Sequence, residues 1–240
     1  MVYIPKKQLI AMIPARIGSS RLAKKNLALL DDKPLIYYAI DIAKKTDIFD
    51  RIVVNSDSPI FEKIAERYNV EFYLRPNQLG SSEAKSDEVV YDFMKHYPGD
   101  ILVWVNPIAP LQPSQEVKDV VNYFIKGDYD SLITVENENA HCLLDNKPIN
   151  FNPNELFQRT QDLKPVQRFL YSLMMWKNRT FLKTFEEKGY ALLSGKVGYY
   201  AVKRLSSIII KTEEDLRFAE YVLTGLQLKG NYKIQYDQLL

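Results

Sequence analysis

From Leu9 to Val135 the chain alternates short apolar runs with amphipathic stretches. Leu9–Pro14 is apolar and of strand length. Pro34–Lys45 places Leu35, Ile36, Ala39, Ile40 and Ala43 at helical spacing. Arg51–Asn55 reads as a strand that ends in a polar Asn-Ser-Asp-Ser. Pro59–Tyr68 reads as a helix, with proline early, where its missing N–H costs little. Glu71–Leu74 is a strand stopped by Arg75-Pro76. Ser86–His96 sets Val89, Val90, Phe93 and Met94 on one helical face. Ile101–Val105 and Ser131–Val135 read as strands around a helix at Gln112–Ile125.

Apolar strands alternating with helices predict a mostly parallel central sheet covered on both faces, a Rossmann-like α/β domain with right-handed crossovers. Residues 1–240 are read as one domain. Ligands of such sheets bind outside the carboxyl ends of the strands. That rule selects the loops at 15–26, 55–58, 75–86 and 106–113, which are also rich in polar residues. Residues 137–165, rich in Asn, Asp and Pro, read as an excursion leading to a further apolar run, Phe169–Trp176. Gly198–Lys203 and Ile208–Lys211 read as late strands. Glu213–Leu223 reads as a helix, with Thr212 at its N-cap and Glu213, Glu214 and Asp215 in its first turn.

Composition narrows the classes. A net charge of +2 makes the molecule as a whole no trap for nucleic acid, so a cationic site must be local. No apolar stretch is long enough to span a membrane, and Met1–Lys7 is not followed by the apolar core of a secretory leader. With a single cysteine, Cys142, a disulfide framework is excluded and a reducing, cytoplasmic setting is expected. His141 beside Cys142 has no second pair at zinc-site spacing, so it reads as an accident of core or surface.

The candidate chemistry concentrates in Ile13-Pro14-Ala15-Arg16-Ile17-Gly18-Ser19-Ser20-Arg21-Leu22-Ala23-Lys24-Lys25-Asn26. This loop follows the first strand and holds Arg16, Arg21, Lys24 and Lys25, with no acid before Asp31. Backbone N–H groups and serine hydroxyls suit phosphate oxygens, and the cations suit their charge. Charge alone would equally describe a solvated basic loop; its place after the first strand favours a polyphosphate site. It is neither a Walker loop nor a Gly-x-Gly-x-x-Gly turn, and nine glycines are few for a dinucleotide fold.

Ile-Pro-Ala-Arg-x-Gly-Ser-x-Arg-Leu-x-x-Lys-Asn resembles the signature loop of the acylneuraminate cytidylyltransferases. The resemblance continues at Asn55-Ser56-Asp57-Ser58, Arg75-Pro76, Asn106-Pro107-Ile108-Ala109-Pro110-Leu111, Arg159-Thr160-Gln161-Asp162 and Thr212-Glu213-Glu214-Asp215-Leu216. It spans roughly residues 9–224 and implies transfer of CMP from CTP to a nonulosonic sugar acid, with release of pyrophosphate and with magnesium accompanying CTP. Carried over, it implies that Arg16, Ser19, Arg21 and Lys25 hold the triphosphate and that Asn26 contacts ribose or phosphate. Asp57, Arg75 and Ser86 would line the nucleotide site, with cytosine read by backbone near Ala15–Gly18 and 75–86. Asp57 also stands where it would cap the helix at Pro59. Arg159 or Arg168 would meet the acceptor's carboxylate, with Asn106 and Gln161 beside the acceptor. The resemblance further implies a homodimer formed through an excursion at about 137–185. Phe151, Phe157, Phe169, Leu170, Tyr171, Met174, Met175 and Trp176 supply its apolar surface, although core burial accounts for them equally well.

Two departures shape the expectation. The family's Asp-x-Asp-Thr, associated with magnesium, is here Ile209-Ile210-Lys211-Thr212. Lys211 is then expected to supply fixed positive charge in place of a metal ligand, and Asp215 is the remaining carboxylate nearby. The family's Gln-Pro-Thr-Ser-Pro-Leu is here Asn106-Pro107-Ile108-Ala109-Pro110-Leu111, with fewer polar partners, so the acceptor is expected to differ from N-acetylneuraminic acid. Another anionic acceptor, such as a different sugar acid or a phosphonate, stays open. So does a nucleotide-binding relative without catalysis; a glycosyltransferase on a similar sheet is least supported, because its acidic metal motif is missing.

Overall fold

The computed structural model describes residues 7–228 together with 234, 236 and 237. Most of the N-terminal segment read for a leader and most of the unassigned tail at 229–240 lie outside the described residues. Seven strands form the central sheet: β1 (Leu9–Ala15), β2 (Arg51–Ser56), β3 (Glu71–Leu74), β4 (Ile101–Val105), β5 (Ser131–Glu138), β6 (Val166–Lys177) and β7 (Val197–Ala201). Their spatial order is β7-β5-β6-β4-β1-β2-β3. All neighbours pair in parallel except β6, which runs antiparallel between β4 and β5.

Alternation along the strands explains the layering. Ala11, Ile13, Val54, Val103, Leu132 and Met175 meet one set of helices, α1 (Leu35–Thr46), α2 (Ile60–Arg67) and α4 (Ser114–Lys126). Ile10, Met12, Val53, Leu102, Trp104, Ile133 and Met174 meet α3 (Ser86–His96) and α5 (Asn178–Lys188). A strand buried on both faces has to be apolar throughout, and all five residues of β4 are buried. A small third cluster, Leu30, Leu35, Ile210 and Ala219, fixes α6 (Glu213–Leu228) against the start of α1.

Three features depart from the sequence reading. Residues 166–185, grouped there with the excursion, belong to the body of the domain: β6 fills the middle of the sheet, and α5 lies against α3, with Phe185 stacked on Tyr91 at 4.4 Å. The excursion is therefore residues 139–165, and it leaves and re-enters at the carboxyl end of β5. Helix α5 was not anticipated; its apolar residues, Phe181, Leu182 and Phe185, are few, and Gly189 at φ +77° closes it as a left-handed C-cap. Ile208–Lys211 is not a strand. After β7 a 3-10 turn at Arg204–Ser207 sends this segment across the strand ends, where Ile210 N–H donates to the Ile108 carbonyl at 2.8 Å.

That turn is held by one carboxylate. Glu116, in the first turn of α4 and 2% exposed, accepts from Lys203 N–H at 2.8 Å, from Gln112 Nε2 at 3.1 Å and from the Ser206 hydroxyl. Glu116→Ala strands the part-buried Lys203 N–H and the buried Ser206 hydroxyl, and a buried donor left unpaired costs about 1–3 kcal/mol. Urea denaturation of this variant is expected to show a loss of roughly 3 kcal/mol through a lower midpoint at unchanged slope.

Candidate functional site

Rigid β1 delivers the first loop to the centre of the sheet's carboxyl edge, and the loops after β3 and β4 close around it. They enclose a cavity of about 400 Å³ lined by Arg16, Gly18, Ser19, Arg21, Lys25 and Asn26 from the first loop, by Arg75, Ser81 and Ser86, and by Trp104, Asn106 and Ile108. Among the described residues four cations line it, Arg16, Arg21, Lys25 and Arg75, and no carboxylate does. A Cβ on Gly18 would meet no protein atom within 4 Å, so glycine leaves open space there without being demanded by its backbone.

The loop is pinned from behind. Asn26, buried, donates from its amide to the Arg16 carbonyl at 3.3 Å. Arg16 reaches the Ser81 carbonyl at 3.2 Å, which joins the first loop to the loop after β3. Asp57 accepts Ile17 N–H at 3.1 Å and stands 3.5 Å from Arg75. The alternative expectation, that Asp57 caps α2, is not met, since no side chain caps that helix. Gly80 is required here, because a Cβ would sit 2.3 Å from the Asp57 carboxylate. Arg75 is buried and donates to the Asn55 carbonyl at 3.1 Å, while its Nε has no partner. Burial pulls its pKa down, with Asp57 opposing that effect and Arg16 adding to it.

Lys25 is the most perturbed of the loop cations. Burial lowers its pKa to about 8, and Arg21, Arg16 and Lys211 push the same way, while Asp215 opposes them. Its Nζ donates to the Ile210 carbonyl at 3.4 Å. Lys211 therefore lies within electrostatic reach of Lys25, although it does not line the same cavity. It lines a neighbouring one of about 960 Å³ with Arg168, Arg204, Asp215, Phe218 and Glu136.

Of the residues expected around a nucleotide, Arg16, Gly18, Ser19, Arg21, Lys25, Asn26, Arg75 and Ser86 come together in the first cavity. Ala15 is buried at its edge, and Asp57 lies behind it. Of those expected around an acceptor, Asn106 lines the first cavity and Arg168 the second, where it pairs with Glu136. Arg159 and Gln161 sit elsewhere, on a 3-10 turn of the excursion, with Arg159 paired to Asp162 at 2.8 Å. Sequence reasoning missed Trp104, a cavity wall hidden in an apolar strand, and Glu116, whose partners are too far away in sequence to signal it.

The carboxylates do not fit a protein-held divalent cation. Asp215 accepts Lys211 N–H and Thr212 N–H, both at 2.8 Å, and the Thr212 hydroxyl at 3.0 Å, while Asp215 N–H donates back to Thr212 at 3.2 Å. This is a capping box, with Thr212 at the N-cap as expected. Burial works against ionising Asp215, but these donors and the charge of Lys211 pull its pKa below the usual carboxylate value. Asp57 is engaged by Arg75 and Ile17. Among the described residues no three His, Cys, Asp or Glu side chains converge as metal ligands, and His141 instead stacks on Phe157 at 4.0 Å.

A lysine with its pKa lowered to about 8 is only half protonated at pH 8, and a bound polyphosphate raises it again. Binding of a nucleoside triphosphate is therefore expected to take up protons near pH 8, and almost none from this group near pH 6.5, where Lys25 is already charged. Calorimetry in buffers of different ionisation enthalpy measures the uptake. Lys25→Arg, charged throughout, is expected to bind and to lose the uptake at pH 8.

The chain matches the family model described as cytidylyltransferase over residues 10–228. It is 26% identical over 248 residues to the N-acylneuraminate cytidylyltransferase of Escherichia coli O18:K1:H7, covering 97% of this chain and 55% of that protein. It is 25% identical over 245 residues to the N-acylneuraminate cytidylyltransferase of Streptococcus agalactiae serotype V, covering 96% and 58%. The chain thus spans just over half the length of these curated relatives. A solved CMP:2-keto-3-deoxy-manno-octonic acid synthetase complexed with CTP shares the fold at a TM-score of 0.69 and 13% identity, covering 91% of this chain and 99% of that one. With the family model matched along nearly its whole length, and a cationic cavity at the carboxyl edge of the sheet, the chain belongs to the cytidylyltransferase family.

Proposed function

We propose that this chain is a cytoplasmic cytidylyltransferase that joins CMP from CTP to a sialic-acid-like (nonulosonic) sugar acid and releases pyrophosphate. The observation that carries this reading is the acid-free cavity lined by Arg16, Arg21, Lys25 and Arg75. An acceptor hydroxyl oxygen attacks the α-phosphorus and gives up its proton to solvent, the bond to the α–β bridging oxygen breaks, and pyrophosphate leaves with the electron pair. The protein's part is to align the two reactants and to stabilise charge moving onto the leaving group. Ser19, Arg16, Arg21 and Lys25 hold the phosphates, and the base rests against backbone near Ala15–Gly18 and 75–86. Arg168 is the better placed of the two guanidiniums considered for the acceptor's carboxylate, because it lines the cavity shared with Lys211. Lys211 adds fixed charge beside Lys25, which suits a site whose own carboxylates do not form a metal cage.

Those occupied carboxylates also favour a second reading, a relative that binds nucleotide without transferring it. Pyrophosphate release from CTP, measured across nonulosonic acids, other sugar acids and phosphonates with and without magnesium, separates the two. Release with a nonulosonic acid is expected. Nucleotide binding with no release on any acceptor would favour the second reading. Lys211→Ala is expected to lower turnover at least about tenfold; unchanged turnover and magnesium response would rule out its role.

The same reading includes a homodimer formed through the excursion. Leu156 is 93% exposed and Phe157 70%, and Leu143, Leu144 and Ile149 of the same excursion are exposed as well. An apolar set of this kind is characteristic of a covered surface. Light scattering is expected to give the mass of two chains, and Leu156→Asp with Phe157→Asp is expected to give one.

A further inference from the structure

The cavity that gathers Arg16, Arg21, Lys25 and Arg75 is closed by three segments of chain. The first loop brings three of these cations. The loop after β3 brings Arg75, Leu79, Ser81 and Ala84, and α3 begins beside it with Ser86 and Val89. The end of β4 brings Trp104, Asn106 and Ile108. Trp104, Leu79 and Val89 belong to one apolar cluster, so the cavity has an apolar side as well as a cationic one.

Trp104 stands in the middle of the sheet, paired with Met12 of β1 and Met174 of β6, with only 9% of its surface exposed. Its Nε1 is buried and has no hydrogen-bond partner among the described residues. A buried indole N–H ordinarily finds an acceptor. Trp176, the second of the two tryptophans, shows that outcome. It is fully buried and edge-on to Trp104 at 6.4 Å, and its Nε1 donates to the Leu192 carbonyl at 2.9 Å. Trp104 differs from it in lining a cavity. Asn106, the polar side chain on the same wall, is engaged elsewhere. Its Oδ1 accepts Ile108 N–H at 3.4 Å, and its amide donates to the Tyr171 carbonyl at 3.1 Å.

We propose that Trp104 is a specificity-determining residue for the nucleotide: its indole N–H donates to a ribose hydroxyl oxygen of the bound ligand. This rests on the nucleotidyl-transfer reading above, in which the first loop holds the triphosphate and the segment 75–86 meets the base. Ribose is the part of a nucleotide that joins those two, and the end of β4 is the wall that remains for it. The indole ring offers an apolar surface to the C–H groups of the sugar, and its nitrogen offers one directed donor. A donor of this kind discriminates, because a ligand lacking the matching hydroxyl leaves it unpaired.

Calorimetry compares CTP with its 2′-deoxy and 3′-deoxy analogues as ligands of the wild type and of Trp104→Phe, which keeps an aromatic ring in the wall and removes the N–H. The wild type is expected to bind CTP about tenfold more tightly than at least one of the analogues, and the analogue that suffers identifies the hydroxyl. Trp104→Phe is expected to bring that analogue and CTP within about twofold of each other. The ratio between two ligands on one protein is insensitive to a partial loss of folded chain. It also separates the hydrogen bond from the packing that both nucleotides share. A wild type that binds all three equally, or a Trp104→Phe variant that keeps the gap, overturns this inference and leaves the transfer reading standing. A wild type that binds none of the three overturns both.

Discussion

Lys25 is half-buried among charges of its own sign, and much of the chain's architecture serves to hold it there. Like charges gathered in a half-buried loop repel one another, and the lowered pKa of Lys25 is the visible cost. The loop does not spring open because each turn of it is fastened to something rigid. Arg16 is tied at its carbonyl by Asn26 and at its guanidinium by Ser81, and Ile17 is tied at its N–H by Asp57. Lys25 itself meets the carbonyl of Ile210, about 185 residues further along the chain. That carbonyl is in place because Glu116 anchors the preceding turn and because Ile210 donates to Ile108. Two segments far apart in sequence are thus brought to one charge centre by buried hydrogen bonds at the ends of a rigid sheet.

How much of this was legible in the sequence follows from what a side-chain pattern encodes. Strands such as Ile101–Val105 were readable because burial on both faces demands an unbroken apolar run, and α3 was readable because its four core residues fall on one face. Direction was not readable: an apolar run says nothing about whether β6 enters parallel or antiparallel, so its place between β4 and β5 came only with the structure. Ile208–Lys211 misled because Ile210 is fully buried in a third, small cluster without belonging to the sheet.

The site divides in the same way. The first loop was legible because its chemistry is contiguous, fourteen residues that converge as one turn of chain. Arg159 and Gln161 looked equivalent to Arg168 in sequence, yet their excursion places them on a separate surface. Glu116 gave no local signal, because its value lies in donors about ninety residues away.

The position of Lys211 shows how far one charge can redirect a site. A carboxylate there would oppose Lys25 and the loop arginines, and would leave a place for a divalent cation between itself and the phosphates. A lysine there adds to the repulsion instead, and one oxygen of the nearby Asp215 already accepts the Lys211 and Thr212 N–H groups. On the proposed reading, each phosphate oxygen that enters compensates several of these cations at once, so that binding energy and charge compensation become the same event.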